Sequence, residues 1–261
     1  MFEIKKVFKR KGITMGKLLK ETKKHFDIKK YKIAFANRLD PMASGEVIIL
    51  IGKDSCKRLN EFTKKDKKYN FKFFTNFYTD SLDILGNPKL AKEIRNIDLK
   101  VFNDCIKHFD SLKYEQNYPN YSSICVKNND GLRNPLWWWA KNNRLNEITI
   151  PKKNVEIKSL NLNNIELIDS TDLINNIIDE LNLLEDDDNG FRKDEIIKNW
   201  EKIKDEIKQP IQIQVFDMDA VVSSGTYIRQ LVFDMSTYLK CNLATLSIFR
   251  PINGILDTNT N

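Results

Sequence analysis

Two hydrophobic periods take turns along this chain, and the switches between them mark out its elements. After Thr14, the residues Leu18, Leu19, Thr22 and Phe26 recur at helical spacing, which predicts an amphipathic helix over 15–26, capped by Thr14 and covered outside by lysines. The apolar run Val47-Ile48-Ile49-Leu50-Ile51 predicts a buried strand over 46–51. Tyr69, Phe71, Phe73, Thr75 and Phe77 alternate with polar neighbours, as in a half-buried strand; each reads as core or as part of a base-stacking platform. Leu90, Ile94, Val101, Ile106 and Phe109 predict the buried face of a helix over 89–112. Strands are expected over 148–157 and 211–222, the second changing phase near Val215-Phe216 as a bulge would. Between them lie two helical stripes, Leu173 to Leu184 and Ile196 to Ile207, joined by Glu185-Asp186-Asp187-Asp188-Asn189-Gly190. This acidic helical hairpin, 169–209, interrupts a sheet-rich region and reads as an insertion, expected to be a solvated decoration, with a protein-partner surface as the other reading. Ile228, Leu231, Val232, Met235 and Leu239 give a last amphipathic helix behind Ser223-Ser224-Gly225-Thr226. Strands and helices in this order argue an α+β fold, one curved, mainly antiparallel sheet flanked by helices.

Composition narrows the classes. With 261 residues, 41% of them hydrophobic, the chain can build a sizeable core as one large domain or two small ones. Four scattered cysteines without a C-x-x-C pair, and only two histidines, argue against a zinc site and for a reducing compartment. No apolar run reaches the roughly 20 residues that cross a bilayer, and the start of the chain carries no signal or transit pattern, so the expectation is an intracellular protein off the membrane, cytoplasmic first, with nucleus or organelle as alternatives. The net charge is +7, yet 169–206 holds 13 acidic against 5 basic residues, which leaves +15 for the remainder. Residues 1–30 alone carry 11 Lys/Arg against 3 acids. That asymmetry is the footprint of a nucleic-acid partner, although Lys and Asn enrichment also follows from genome base bias.

The chemistry concentrates at Asn37-Arg38-Leu39-Asp40-Pro41-Met42-Ala43-Ser44-Gly45, where a Pro- and Gly-bounded loop presents one carboxylate ahead of the buried strand. An isolated Asp-Pro reads first as a turn. Other segments change that reading. Leu39 to Gly45 is similar to L-D-P-x-A-[ST]-G, Lys9 to Thr14 to K-P-x-G-x-T with Arg10 in place of Pro, and Asp66 to Tyr69 to D-K-x-Y. Thr79 to Gly86 is similar to T-D-[TS]-x-D-x-x-G, Gln116 to Lys127 to Q-x-P-P-x-Y-S-A-x-K with Tyr118 for a Pro, and Ser224 to Arg229 to [KS]-G-T-Y-I-R. In this order and spacing the chain resembles the TruB family of pseudouridine synthases from about Lys9 to Arg250, the acidic hairpin excluded.

The resemblance implies a single pseudouridine synthase domain over 1–261 without a C-terminal PUA domain, acting on RNA with no metal, nucleotide or other cofactor. Asp40 would be the essential carboxylate, as nucleophile or as initiator of glycal formation, with Arg229 to balance its charge and aim it. Tyr69 would stack on a flipped uracil with its phenol near the C5 proton. Tyr227 and Ile248 align with positions lining the uracil pocket, though packing alone would explain both. Lys11 and Gly12 belong to the opening motif beside the Asp loop; both read as structural support, and Lys11 also counts among the substrate-side positions. Phe35 stands where tRNA-modifying members commonly have a His that stacks in the T loop. Trp137, Trp138 and Trp139 cannot share one helix face, so at least one is expected to be exposed where it could stack on RNA. The implied substrate is the T arm of tRNA, at the uridine conventionally numbered 55. Two alternatives stay open: a non-catalytic RNA-binding or tRNA-folding module, and a synthase for another RNA.

Overall fold

The computed structural model describes residues 3–28, 30–185, 191–252 and 255. The chain runs β1 (Glu3–Lys9), α1 (Met15–His25), β2 (Ile33–Phe35), β3 (Ala43–Ile51), α2 (Lys53–Lys57), α3 (Leu59–Thr63), β4 (Lys67–Thr75), β5 (Phe77–Thr79) and β6 (Pro88–Leu90). It continues through α4 (Leu99–Phe109), β7 (Lys113–Asn117), β8 (Cys125–Lys127), β9 (Arg133–Pro135), α5 (Leu136–Lys141) and β10 (Lys152–Asp169). The last elements are α6 (Ser170–Asn182), α7 (Lys193–Glu206), β11 (Gln212–Val222), α8 (Ile228–Leu239) and β12 (Leu243–Arg250). Among the described residues no helix is long and apolar enough to cross a membrane.

The central sheet has the order β1-β3-β12-β4-β11-β10-β7, and only the β3–β12 pair is parallel. One edge of β3 is shared. Residues Ala43–Gly45 pair with β12, whereas Ile49–Ile51 pair with β2, and the loop carrying Asp40 leaves the sheet where these partners diverge. This is the mixed α+β architecture that the alternation of periods implies.

Both faces of the sheet are covered. On one, Val47, Ile49, Phe71, Phe73, Phe216 and Met218 pack against Leu18 of α1, Phe102 and Cys105 of α4, and Leu231 and Met235 of α8. On the other, Phe74, Ile213, Val215 and Ala244 meet Leu173, Ile174 and Ile177 of α6 and Ile196, Trp200 and Ile203 of α7. The expectation of a solvated decoration is therefore overturned: the acidic hairpin roofs a second core, and Trp200 is fully buried in it. The link 186–190 lies outside the described residues. Apolar pairing on both faces also accounts for Val215-Phe216. The β11–β4 ladder runs unshifted through these residues, one facing each core, so the phase change is no bulge; the irregularities fall instead at Ile157/Ser159 and Leu162/Asn164 of the β10–β11 pair.

Two other boundaries moved for local reasons. Thr14 caps α1 as expected, accepting from the Lys17 amide at 3.1 Å. The helix expected over 89–112 starts only at Leu99, because the Asp98 carboxylate accepts from the amides of Lys100 and Val101 and fixes the first turn there. Its buried face is Phe102, Cys105 and Phe109, while Ile94 and Val101 are exposed and Leu90 pairs in β6. Strand β10 extends twelve residues past its expected end at Ile157, through an Asn-rich stretch that strand propensity disfavours and that Asn163 ties to Asp217 and Asp219 across the ladder.

The N-terminal cations are partly spent within the chain. Arg10 pairs with Glu21 and Glu185, Lys11 with Glu180 at 2.5 Å, and Lys17 with Glu185 at 3.2 Å. Each partly exposed pair contributes at most about 1 kcal/mol; their larger effect is to seat the hairpin beside the loop that carries Asp40. Gly12 makes this junction tight. Its amide donates to Pro41 O, its carbonyl accepts from the Glu185 amide, and at φ +85 an added Cβ would lie 2.0 Å from Leu183 O. Gly12→Ala is expected to cost at least about 2 kcal/mol in denaturant unfolding, since left-handed strain alone is about 1–2 kcal/mol; a loss below half of that would contradict the tight junction.

Candidate active site

Two buried cations brace the loop from Asn37 to Glu46. Lys9, at the end of β1, is fully buried and donates through Nζ to Pro41 O at 2.9 Å and Ala43 O at 2.7 Å. Arg250, at the end of β12, is fully buried and donates to Glu46 O at 2.7 and 2.5 Å and to Asn37 O at 3.1 Å. Buried charge is tolerated here because Lys9 donates to the carbonyls of Arg10, Pro41 and Ala43, and Arg250 to those of Glu46 and Asn37 and to the Tyr69 hydroxyl. Burial pulls the Lys9 ammonium down to about 7 from its ordinary 10.5; Asp40 opposes the fall, and Arg10 and Arg250 add to it. Below about pH 7 Lys9 is charged whether folded or unfolded, while between about 7 and 10.5 only the unfolded chain keeps the proton, so its contribution to stability rises with pH. Relative to Lys9→Met, the parent is expected to gain up to about 1.4 kcal/mol per pH unit across that window. Unfolding curves at a series of pH values read this difference; a flat or falling one would refute a buried, titrating Lys9.

Asp40 projects from the braced loop and accepts from Arg229 Nε at 2.9 Å. Arg229 lies in the first turn of α8, almost wholly buried, and its other nitrogens donate to Ser81 O at 2.6 Å and Tyr121 O at 3.2 Å. Asp83 stands 3.5 Å from the same Nε. Burial works against the Arg229 charge, but Asp40 and Asp83 outweigh it and hold the guanidinium protonated more firmly than usual. Burial raises Asp83 above the usual carboxylate range, although Arg229 and the Ser81 hydroxyl pull the other way. One guanidinium thus fixes the direction of Asp40 through further partners on two separate loops.

Asp40 sits where two hollows meet. The larger, a cleft of about 590 Å³, is rimmed by Lys17, Lys20, Arg38, Lys141 and Arg192 and carries the aromatic side chains of Tyr121, Trp137 and Phe191. The smaller, about 270 Å³, is lined by Tyr69, Tyr227, Ile228, Ile248, Lys67 and Arg250. An electropositive, aromatic approach therefore leads to a carboxylate backed by a small recess with a mixed polar and apolar lining. That combination suits a polyanion that inserts one flat group. Tyr69 is held by Arg250, whose Nη1 donates to its hydroxyl at 3.3 Å. Burial, and then Asp40, push the Tyr227 phenol up to about 12.

Asp40, Tyr69, Tyr227, Arg229 and Ile248, named from the sequence, converge here. Lys11 and Phe35 do not: Lys11 pairs with Glu180, and Phe35 packs against the main core from β2. Of the three tryptophans, Trp139 is buried and donates to Asn134 O, Trp138 stands edge-on against it, and Trp137 is exposed in the cleft wall. Sequence reasoning gave no role to Lys9, Asp83, Arg192 or Arg250. Lys9 and Asp83 already stood inside recognised motifs.

The family model described as TruB family pseudouridylate synthase (N terminal domain) matches residues 23–175, a span that holds Asp40 and Tyr69 and ends before Arg229. The chain is similar to a tRNA pseudouridine synthase B of Mesoplasma florum, 32% identical over 158 residues, covering 60% of this chain and 52% of that protein. It is similar to a tRNA pseudouridine synthase B of Mycoplasma capricolum subsp. capricolum at 27% over 252 residues, covering 97% of this chain and 68% of the relative. The chain thus spans about half the length of the first of these relatives. In fold it is similar to a chain in the crystal structure of a Cbf5–Nop10–Gar1 complex, with TM-score 0.54 and 12% identity, covering 95% of this chain and 47% of that one.

Proposed function

The chain belongs to the TruB family of pseudouridine synthases, and on that footing we propose that it isomerises uridine to pseudouridine in RNA, at the T-loop uridine 55 of tRNA. The observation that carries the proposal is the Asp40 carboxylate held on Arg229 at 2.9 Å where the basic cleft meets the Tyr69-Tyr227-Ile248 recess. The reaction breaks the N1–C1′ bond, turns the freed uracil, joins C5 to C1′ and moves the C5 proton away while N1 regains one. Nothing is oxidised or reduced, and no phosphoryl group moves, so the chemistry calls for no cofactor.

In this reading a uridine swings out of the T loop into the smaller recess, at a cost of a few kcal/mol in lost stacking that contact with Tyr69 and Ile248 helps to offset. Asp40 attacks C1′ or initiates glycal formation, and Arg229 keeps it aimed throughout. The Tyr69 phenol lies on the side from which the C5 proton departs. Lys17, Lys20, Arg38 and Lys141 follow the phosphates, and Trp137 offers a ring to an unstacked base. The cytoplasm, where tRNA is found, is the expected compartment, and the single catalytic domain over 1–261 belongs to the same proposal.

Nucleoside mass spectrometry on an unmodified tRNA transcript incubated with the purified chain tests the proposal. One pseudouridine per transcript, mapped to the T loop, is the expected result. Pseudouridine elsewhere would reassign the substrate. Salt-sensitive binding with no pseudouridine would overturn the enzyme reading in favour of an RNA-folding module.

A further inference from the structure

The helical hairpin reaches the cleft through two residues at its return, Phe191 and Arg192. Arg192 immediately precedes α7 with φ 59 and ψ 27, a left-handed conformation that a long L side chain adopts at a cost of about 1–2 kcal/mol. Something must hold it there. Its guanidinium donates to both Asp80 oxygens, at 2.9 and 3.2 Å, and lies 4.9 Å over the Tyr121 ring. The Tyr121 hydroxyl closes the triangle by donating to Asp80 at 3.2 Å. Burial and the Asp80 charge push that phenol up to about 12, so it keeps its proton.

These are the two places that hold Arg229. Its guanidinium donates to Tyr121 O and to the carbonyl of Ser81, the residue after Asp80. Helix α7 grips the same turn further along: Asn87 donates to Glu195 at 2.8 Å and accepts from Asn199 at 2.8 Å. The turn cannot relax easily, because a Cβ on Gly86 would lie 2.6 Å from Asp80 Oδ1 and 2.5 Å from Ser81 Oγ. A line of contacts therefore runs from the hairpin, through Arg192, Asp80 and Tyr121, to Arg229 and Asp40.

We propose that Arg192 is a positioning residue for the reaction: by tying Asp80 to Tyr121 it fixes the two carbonyls that aim Arg229, and through Arg229 the Asp40 carboxylate. The hairpin is then part of the catalytic apparatus as well as the roof of the second core. This rests on the synthase reading above. The competing role for a cleft arginine, direct contact with an RNA phosphate, predicts a different pattern of effects. A phosphate contact acts on RNA affinity and its salt dependence, whereas misplacement of a reacting group acts on the rate of the bound complex.

The test uses the full chain with Arg192→Gln, Arg192→Lys, Asp80→Asn and the Arg192→Gln/Asp80→Asn pair. Single-turnover rate and RNA Kd are read together with the 15N NMR exchange of the Arg229 Nε hydrogen. Arg192→Gln is expected to slow the bound complex about 10–100-fold, as displacements near 1 Å do, with Kd within about twofold. Arg192→Lys should recover part of the rate, and the pair should be no slower than Arg192→Gln alone, because both changes cut one linkage. Arg229 Nε–H exchange should quicken at least about tenfold in Arg192→Gln, with the Trp139 indole unchanged as a control on folding. Unchanged exchange would overturn the proposal even if the parent forms no pseudouridine, an outcome that separately sinks the synthase reading. Weakened Kd at unchanged rate would overturn it in favour of a phosphate contact.

Discussion

Asp40→Asn is expected to leave a folded chain that binds RNA and forms no pseudouridine. The substitution is nearly isosteric, and its amide oxygen can still accept from Arg229 Nε. Arg229 also keeps Ser81 O, Tyr121 O and the nearby Asp83. What disappears is a carboxylate able to attack C1′ or start glycal formation. The expected fall in rate is at least about 10⁴-fold, or about 5.5 kcal/mol of transition-state stabilisation. Single-turnover assays with melting curves alongside measure it. Retention of even a hundredth of the parent rate would remove Asp40 from the chemistry. Substituting Arg229 is a poorer probe, because breaking its buried pair with Asp83 would cost about 3–5 kcal/mol of stability and confuse folding with function.

Removing the hairpin, by joining residues 169 and 210 through a short turn, is expected to abolish the folded state. Phe74, Phe77, Ile213, Val215 and Ala244 would lose the apolar cover that Leu173, Ile174, Ile177, Ile196 and Trp200 supply. Such an exposed face drives collapse or aggregation rather than a smaller stable domain. The graded version is Trp200→Ala, expected to cost about 3–5 kcal/mol in denaturant unfolding, as for other fully buried aromatics. A soluble deletion variant with the melting temperature of the parent would contradict the two-core account.

Much of the fold was legible because period and burial agree wherever one sheet face is wet or both are dry. The alternation from Tyr69 to Thr75 and the apolar run from Val47 to Ile51 each matched a strand, while Phe77, past a positive-φ Asn76, opens the next one. Legibility failed where a tertiary partner set the outcome. The stripes of the hairpin were visible, but a stripe does not say what it covers; the matching apolar surface lay on Phe74 and Val215, residues whose other-face neighbours had already satisfied a one-sided pattern. The start of α4 was readable from Asp98, had the cap been given precedence over the scattered apolar residues before it.

Within the site, Asp40 could be found because its loop, which alone reads as a turn, stands in order with the other motifs along the chain. Arg229 could be found because Ser224 to Arg229 matches the last motif of the resemblance, and an arginine early in a helix, poorly placed against the helix dipole, added a small point in favour. Lys9 and Arg250 act on backbone carbonyls, which have no sequence signature. Arg192 was out of reach for a simpler reason: Asp80 lies 112 residues away, and no local pattern joins them.

The central claim is that Asp40, aimed by Arg229, isomerises a uridine presented through the basic cleft. Tritium release from tRNA transcripts labelled at uracil C5 tests it most directly, since C5 gives up its hydrogen on becoming the glycosidic carbon. The account predicts release by the parent chain that stops with Asp40→Asn and with a transcript carrying cytidine in place of the T-loop uridine. Release that persists in the Asp40→Asn chain, or none from the parent under conditions where it binds the transcript, would contradict it.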